Sequence, residues 1–175
     1  MIVIDADIAS SAADPATAAR ARTAYRCLRD WERSPHTLVL VPTLRGEWDV
    51  ARRNNRHARA SLARQTARGR VVDAAAPEMG DVRAALERAR IDPSRLKAIV
   101  HDFHLLEAAR CGALLVLSFD AKVRGHLRKA GRELRPLFPG LRWNNPEKEP
   151  VPLAALMTDA STPGDAAEHL FPPAG

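Results

Sequence analysis

Apolar residues fall along this chain in two patterns: short unbroken runs, and stripes spaced by three and four. Ile2-Val3-Ile4 is unbroken and branched, which suits a parallel strand covered on both faces. His36–Val41, Val71-Val72, Ala113–Leu117 and Leu141-Arg142-Trp143 read as four further strands. Helical spacing fills the gaps. Pro15 to Arg33 predicts a helix with Asp14 as N-cap, Pro15 in its first turn, and Tyr25, Leu28 and Trp31 on its buried stripe. Leu44, Trp48, Ala51, Asn55, Ala58 and Leu62 share one face. They predict a single long helix from Pro42 to about Arg68, stopped by Gly69. Met79, Val82, Leu86 and Ala89 mark another helix. A further one starts at Asp92-Pro93-Ser94, bends near His101 and ends at Gly112. The last runs from Asp120 to Ala130 and stops at Gly131.

Strands alternating with helices imply an α/β protein, a three-layer sandwich around a central, mostly parallel sheet. Residues 1–145 form the expected domain. Residues 146–175 hold six of the 13 prolines and read as a tail, with Leu153–Met157 as a short docking helix.

A chain of 175 residues fits one domain. No apolar run approaches the ~18 residues of a membrane span. The start lacks the basic and long apolar segments of a secretory signal. Cys27 and Cys111 lie far apart and read as thiols of a reducing compartment, so a cytoplasmic protein is expected. The net charge is +6, unevenly spread: residues 1–145 carry +10 and residues 146–175 carry −4. A basic body favours a polyanionic partner, and an acidic tail is expected to cover part of a basic groove.

Four acids stand at element ends. Asp5 closes the first strand, Glu47 lies just inside the helix after the second, Asp102 sits at the expected bend, and Asp120 follows Leu114–Phe119. Carboxylates at the carboxyl ends of parallel strands meet in one crevice. Such a cluster repels itself and is tolerated best around a hard cation, Mg²⁺ or Mn²⁺. His101 and His104, three apart, invite a zinc reading, with a surface or partly buried role as the plainer alternative.

In these segments the chain resembles the PIN-domain family of metal-dependent ribonucleases. Ile2–Asp7 looks like the family's opening strand and its aspartate. Asp102 with His104-Leu105-Leu106-Glu107-Ala108-Ala109 looks like the aspartate at a helix start. Leu115–Asp120 looks like the strand ending in Ser or Thr, a spacer and Asp. Glu47 matches the acidic position after the second strand. Position 7 departs from the family's small polar residue or Asn. The resemblance implies a nuclease hydrolysing RNA, endonucleolytic and toxin-like in some members, with an antitoxin-like partner and a homodimer as further expectations.

On that reading Asp5, Asp102 and Asp120 hold the metal, and Glu47 completes the shell or orients the attacking water. Ser118 hydrogen-bonds a carboxylate and fixes it, and Asp7 adds charge or caps the next turn. The Arg-rich stretch from Arg45 to Arg70 is the expected RNA contact, with Arg45, Arg52 and Arg124 preferred. Trp48 and Phe103 belong to the core. Two rival readings follow from the same residues. One is a PIN-like module that binds RNA or protein without cleaving it. The other is a haloacid-dehalogenase-type phosphatase with Asp5 as nucleophile and Asp7 as acid/base. The signature of HD phosphohydrolases at His101-Asp102 lacks its remaining ligands.

Overall fold

The computed structural model describes residues 1–13, 16, 18–150, 153, 170 and 171. Five strands form one all-parallel sheet: β1 (Ile2–Ile4), β2 (Leu38–Leu40), β3 (Val71–Asp73), β4 (Leu115–Leu117) and β5 (Arg142–Asn144), in the order β3-β2-β1-β4-β5. Ile2 is in register with Leu38 on one side and Leu115 on the other. Every residue of β1, β2 and β4 is buried, as their unbroken apolar runs require. At the β3 edge only Val71 is half-buried, and Val72 and Asp73 are exposed.

Nine helices lie among the described residues. Before β3 come α1 (Ala6–Ser11), α2 (Ala19–Arg33), α3 (Pro42–Asn54) and α4 (Arg56–Ala67), which pack on one another. After it come α5 (Gly80–Arg88), α6 (Pro93–His101), α7 (Phe103–Arg110), α8 (Ala121–Lys129) and α9 (Gly131–Leu134). Here α6 packs on α8, and α5 and α8 on α9. Right-handed crossovers place the first group on one face of the sheet and the second on the other, giving three layers. The predicted α/β sandwich is therefore what the chain forms.

Three boundaries differ from the sequence expectation. The predicted helix from Pro15 begins at Ala19, after a separate α1; Asp14 and Pro15 lie outside the described residues. The long helix predicted over Pro42–Arg68 is two helices. Asn55 takes an extended backbone (φ −132°, ψ 113°) and its Oδ1 accepts from the N–H groups of His57 and Ala58, capping α4. Its Nδ2 donates to the carbonyls of Ala9 and Ser10, so a polar residue on an apolar stripe ties both helices to α1. The helix expected over Asp120–Ala130 does stop before Gly131, but Gly131 also opens a further short helix, α9, that the sequence did not suggest. The predicted bend near His101 is present: Asp102 (φ −102°, ψ 23°) ends α6 and precedes α7.

Of the segment after residue 145, Leu153, Leu170 and Phe171 belong to the hydrophobic core. Leu170 N donates to Leu141 O at 2.8 Å, and the Phe171 ring lies 6.4 Å from that of Phe138. Of the docking helix expected at Leu153–Met157, only Leu153 is described, in helical conformation; the rest lies outside the described residues.

Candidate metal centre

Strand order reverses between β1 and β4, and the crevice beyond their carboxyl ends is where open α/β sheets bind ligands. Asp5 follows β1 and Ser118 follows β4. Ser118 Oγ donates to Asp5 Oδ2 at 2.6 Å and accepts from Asp120 N at 3.0 Å, closing the crevice floor. Asp5 Oδ1 accepts a longer bond from Asp7 N at 3.4 Å as the N-cap of α1. Asp5 and Ser118 are both buried.

Two helices bring further donors to Asp5. Trp48 Nε1 donates to Ile4 O at 2.8 Å and so fixes α3 to the end of β1. Glu47 is the neighbour of Trp48 as Asp5 is of Ile4, so this bond brings the backbones that carry the two carboxylates together. Helix α7 lies over β1, β2 and β4 and touches α3. From it His104, 5% exposed, sets Nε2 3.3 Å from Glu47 Oε2. That atom is buried and meets no hydrogen-bond geometry among the described residues. One ligand atom each from Asp5, Glu47 and His104 lies within 4.8 Å of the others.

The electrostatics match a site short of positive charge. Burial pushes the Asp5 pKa up, aided by the negative charge of Asp102. The Ser118 hydrogen bond, the Asp7 amide and the positive charge of His104 oppose it without prevailing. Asp7 rises to about 7, first from burial, then from the charge of Asp5; Arg20, 3.5 Å away, offsets only part. For His104 burial works against the charged form. The Glu47 contact and the charges of Glu47, Asp5 and Asp102 outweigh it and hold the imidazole above its ordinary value.

The remaining predicted acids stand around this set, not within it. Asp102 acts on Asp5 and His104 through its charge, but its own Oδ1 is 2.8 Å from His101 Nδ1. Asp120 Oδ1 caps α8, accepting from Lys122 N and Val123 N at 2.7 and 2.9 Å. Its backbone N–H donates to Ser118 Oγ, which in turn bonds Asp5. His101 is exposed on α6 while His104 is buried on α7, so the two histidines do not share a face.

The preferred arginines are engaged by acids of the chain itself. Arg45 lies 3.6 Å from Asp49 and 3.3 Å from Asp73, and Arg52 lies 2.8 Å from Asp49. Arg124 is buried and donates to Glu149 Oε1 at 2.6 Å. Trp48 and Phe103 are core residues, as predicted.

Two residues of the site take roles that the sequence does not assign them. The sequence sets His104 only with His101 for zinc, with a partly buried histidine as the plainer alternative, and not beside Asp5 and Glu47. Asn145, just past the last expected strand, carries no functional reading there. It donates to Phe119 O at 2.6 Å and accepts from Glu147 N and Lys148 N, holding the Ser118–Asp120 loop in place. No helix among the described residues is long and apolar enough to cross a membrane. No protein-family model, no curated protein and no solved structure matches this chain.

Proposed function

We propose that the protein is a divalent-metal-dependent nuclease of the PIN type, hydrolysing phosphodiester bonds of RNA. One observation carries this reading: Asp5, Glu47 and His104, 42 and 57 residues apart in sequence, converge to within 4.8 Å at the reversal point of a parallel sheet. Two features of the set favour a cation over a purely structural pairing: burial raises the Asp5 pKa, and His104 Nε2, although 3.3 Å from Glu47 Oε2, has no well-formed hydrogen bond among the described residues.

Those donors fit a small divalent cation. Carboxylates suit Mg²⁺ and Mn²⁺, and an imidazole nitrogen moves the set toward a transition metal such as Mn²⁺. Asp5, Glu47 and His104 would hold it, with Asp102 adding negative charge nearby. When bound, the cation supplies charge for the non-bridging phosphate oxygens and acidifies a water for in-line attack. The chain's own contribution is placement. Ser118 pins Asp5 Oδ2, leaving Oδ1 with only the long amide bond. Trp48 joins α3 to the end of β1, beside Asp5. Glu47, 40% exposed, is the most solvent-open of the three and would complete the shell or orient the attacking water. RNA as the polyanion comes from the sequence resemblance together with the basic body.

The test is cleavage of labelled single-stranded RNA with Mn²⁺, alongside calorimetric Mn²⁺ binding. Asp5→Asn should lower the cleavage rate by roughly 100-fold or more and weaken Mn²⁺ binding. Wild-type protein that leaves RNA whole with every divalent metal tried would favour the non-cleaving binding module instead. Equal cleavage by Asp5→Asn would remove Asp5 from the chemistry.

A further inference from the structure

We propose that Arg53, Arg56 and Arg59 form a phosphate-binding subsite that holds the RNA strand beside the metal centre, an inference resting on the nuclease reading above. The eight arginines between Arg45 and Arg70 are alike in sequence, but the fold sorts them. Arg45 and Arg52 are paired with Asp49 and Asp73. Arg64 is bonded to the Glu32 carboxylate, Arg68 Nη1 donates to Glu32 O at 2.9 Å, and Arg70 Nη1 donates to Ser34 O at 2.6 Å. These five hold the protein together.

The other three have no acidic partner among the described residues. Arg53, Arg56 and Arg59 are exposed and line one cavity of about 430 Å³, together with Ala13, Asn54 and Asn55. The single side-chain bond among them, Arg56 Nε to His57 Nε2 at 3.4 Å, engages only Nε. Three permanent charges with forked donors around one concavity, with no carboxylate lining it among the described residues, suit a phosphate.

The cavity's position supports the same occupant. Two of the helices at the metal centre, α1 and α3, lead to it. Helix α1 starts at Asp5 and its carbonyls at Ala9 and Ser10 meet Asn55. Along α3, Arg53 lies six residues past Glu47, ~9 Å at helical rise. Six residues also turn the chain by about 240°, so a strand held at Asp5 and Glu47 would reach this pocket by curving around α3. Among the described lining residues Ala13 is the only apolar one, and a stable protein partner needs larger apolar anchors than that. Nucleic-acid backbone is the ligand this chemistry selects.

The experiment measures binding of labelled single-stranded RNA to the full chain in EDTA, across about 50–200 mM salt. Replacing all three arginines with alanine should weaken binding at least tenfold at low salt. It should also reduce the slope of log K against log salt by about 2, since each single-strand phosphate contact contributes roughly 0.7. Alanine is compatible with exposed helix positions, and unchanged circular dichroism and Mn²⁺ affinity would show an intact fold. A charge-matched control, Lys97, Lys129 and Arg132 to alanine on the opposite layer, should leave both quantities unchanged. The proposal is overturned if the two triple variants lose RNA equally, if neither loses it, or if polyglutamate binds the pocket as well as RNA does. Failure of the nuclease reading shows separately, as absent cleavage with Mn²⁺ while the arginine-dependent binding persists.

Discussion

Ser118 serves three elements with one oxygen: it holds the carboxylate after β1, terminates β4, and accepts the amide of the residue that caps α8. Removing that oxygen leaves Asp5 buried without its shortest hydrogen bond. Ser118→Ala should raise the Asp5 pKa further and weaken Mn²⁺ binding by about 10–100-fold, with little change in fold. Calorimetric titration reads this directly, and an unchanged Mn²⁺ affinity would deny Ser118 any part in orienting Asp5. At this scale the sequence was partly legible. Asp5, Glu47 and Ser118 were found because strand ends and helix starts are local signals. His104 was paired with His101 and not with the acids, because its meaning depends on Glu47, 57 positions away, and nothing in a stripe of Leu and Ala marks one buried histidine as facing a carboxylate. Asp120 was found, but its local work as a cap proved the stronger geometric fact.

At the scale of elements, α2 and α4 are joined by a buried acid. The Glu32 carboxylate accepts from Ser61 Oγ at 2.5 Å, from Arg29 Nη1 at 2.7 Å and from Arg64. Burial pushes its pKa up, but these hydrogen bonds and the charges of Arg64 and Arg29 outweigh burial and leave it below 4.5. A depressed folded-state pKa gives stability that is complete above about pH 4.5 and lost as pH falls through the folded value. Both arginines are substantially exposed, so the contribution is modest, about 1–2 kcal/mol. Glu32→Gln should therefore be less stable than wild type at pH 7, and the gap should close as acid is added. Urea melts at a series of pH values measure it; a gap that stays constant to low pH would contradict the assignment. The same pair of helices shows why element boundaries were only half legible. Apolar spacing runs unbroken through Asn55, because α3 and α4 both turn that stripe inward, and periodicity cannot register a single extended residue between them. Helix α1 escaped for the opposite reason: six residues give too little period to detect. The break at Asp102 was legible because Val100-His101-Asp102 interrupts a stripe instead of continuing it.

For the whole molecule, the parallel sheet and its layers followed from unbroken apolar runs separated by helical stripes, the strongest signal a sequence carries. The limit of the folded body did not. Charge and proline content set the segment after residue 145 apart, yet Leu153, Leu170 and Phe171 are buried in the core and Glu147 and Glu149 pair with Arg20 and Arg124. Composition reports an average, and three apolar side chains among many polar and proline residues vanish in it. Leu170→Ala should cost about 2–4 kcal/mol in denaturant unfolding, as at other fully buried leucines. A loss below about 0.5 kcal/mol, the level of a surface change, would mean that the segment is not part of the stable unit.

The hydrogen bond from Trp48 to the Ile4 carbonyl places an indole ring one residue from Glu47 and beside the backbone that leads into Asp5. Nature has in effect wired a fluorophore into the crevice. Mn²⁺ is paramagnetic and quenches nearby indole emission, so loading of the crevice should be visible as dimming of the protein's own light, without any label. Trp31, edge-on to Trp48 at 6.0 Å, and the buried Trp143 add background, and a Trp48→Phe chain separates their emission from the reporting ring.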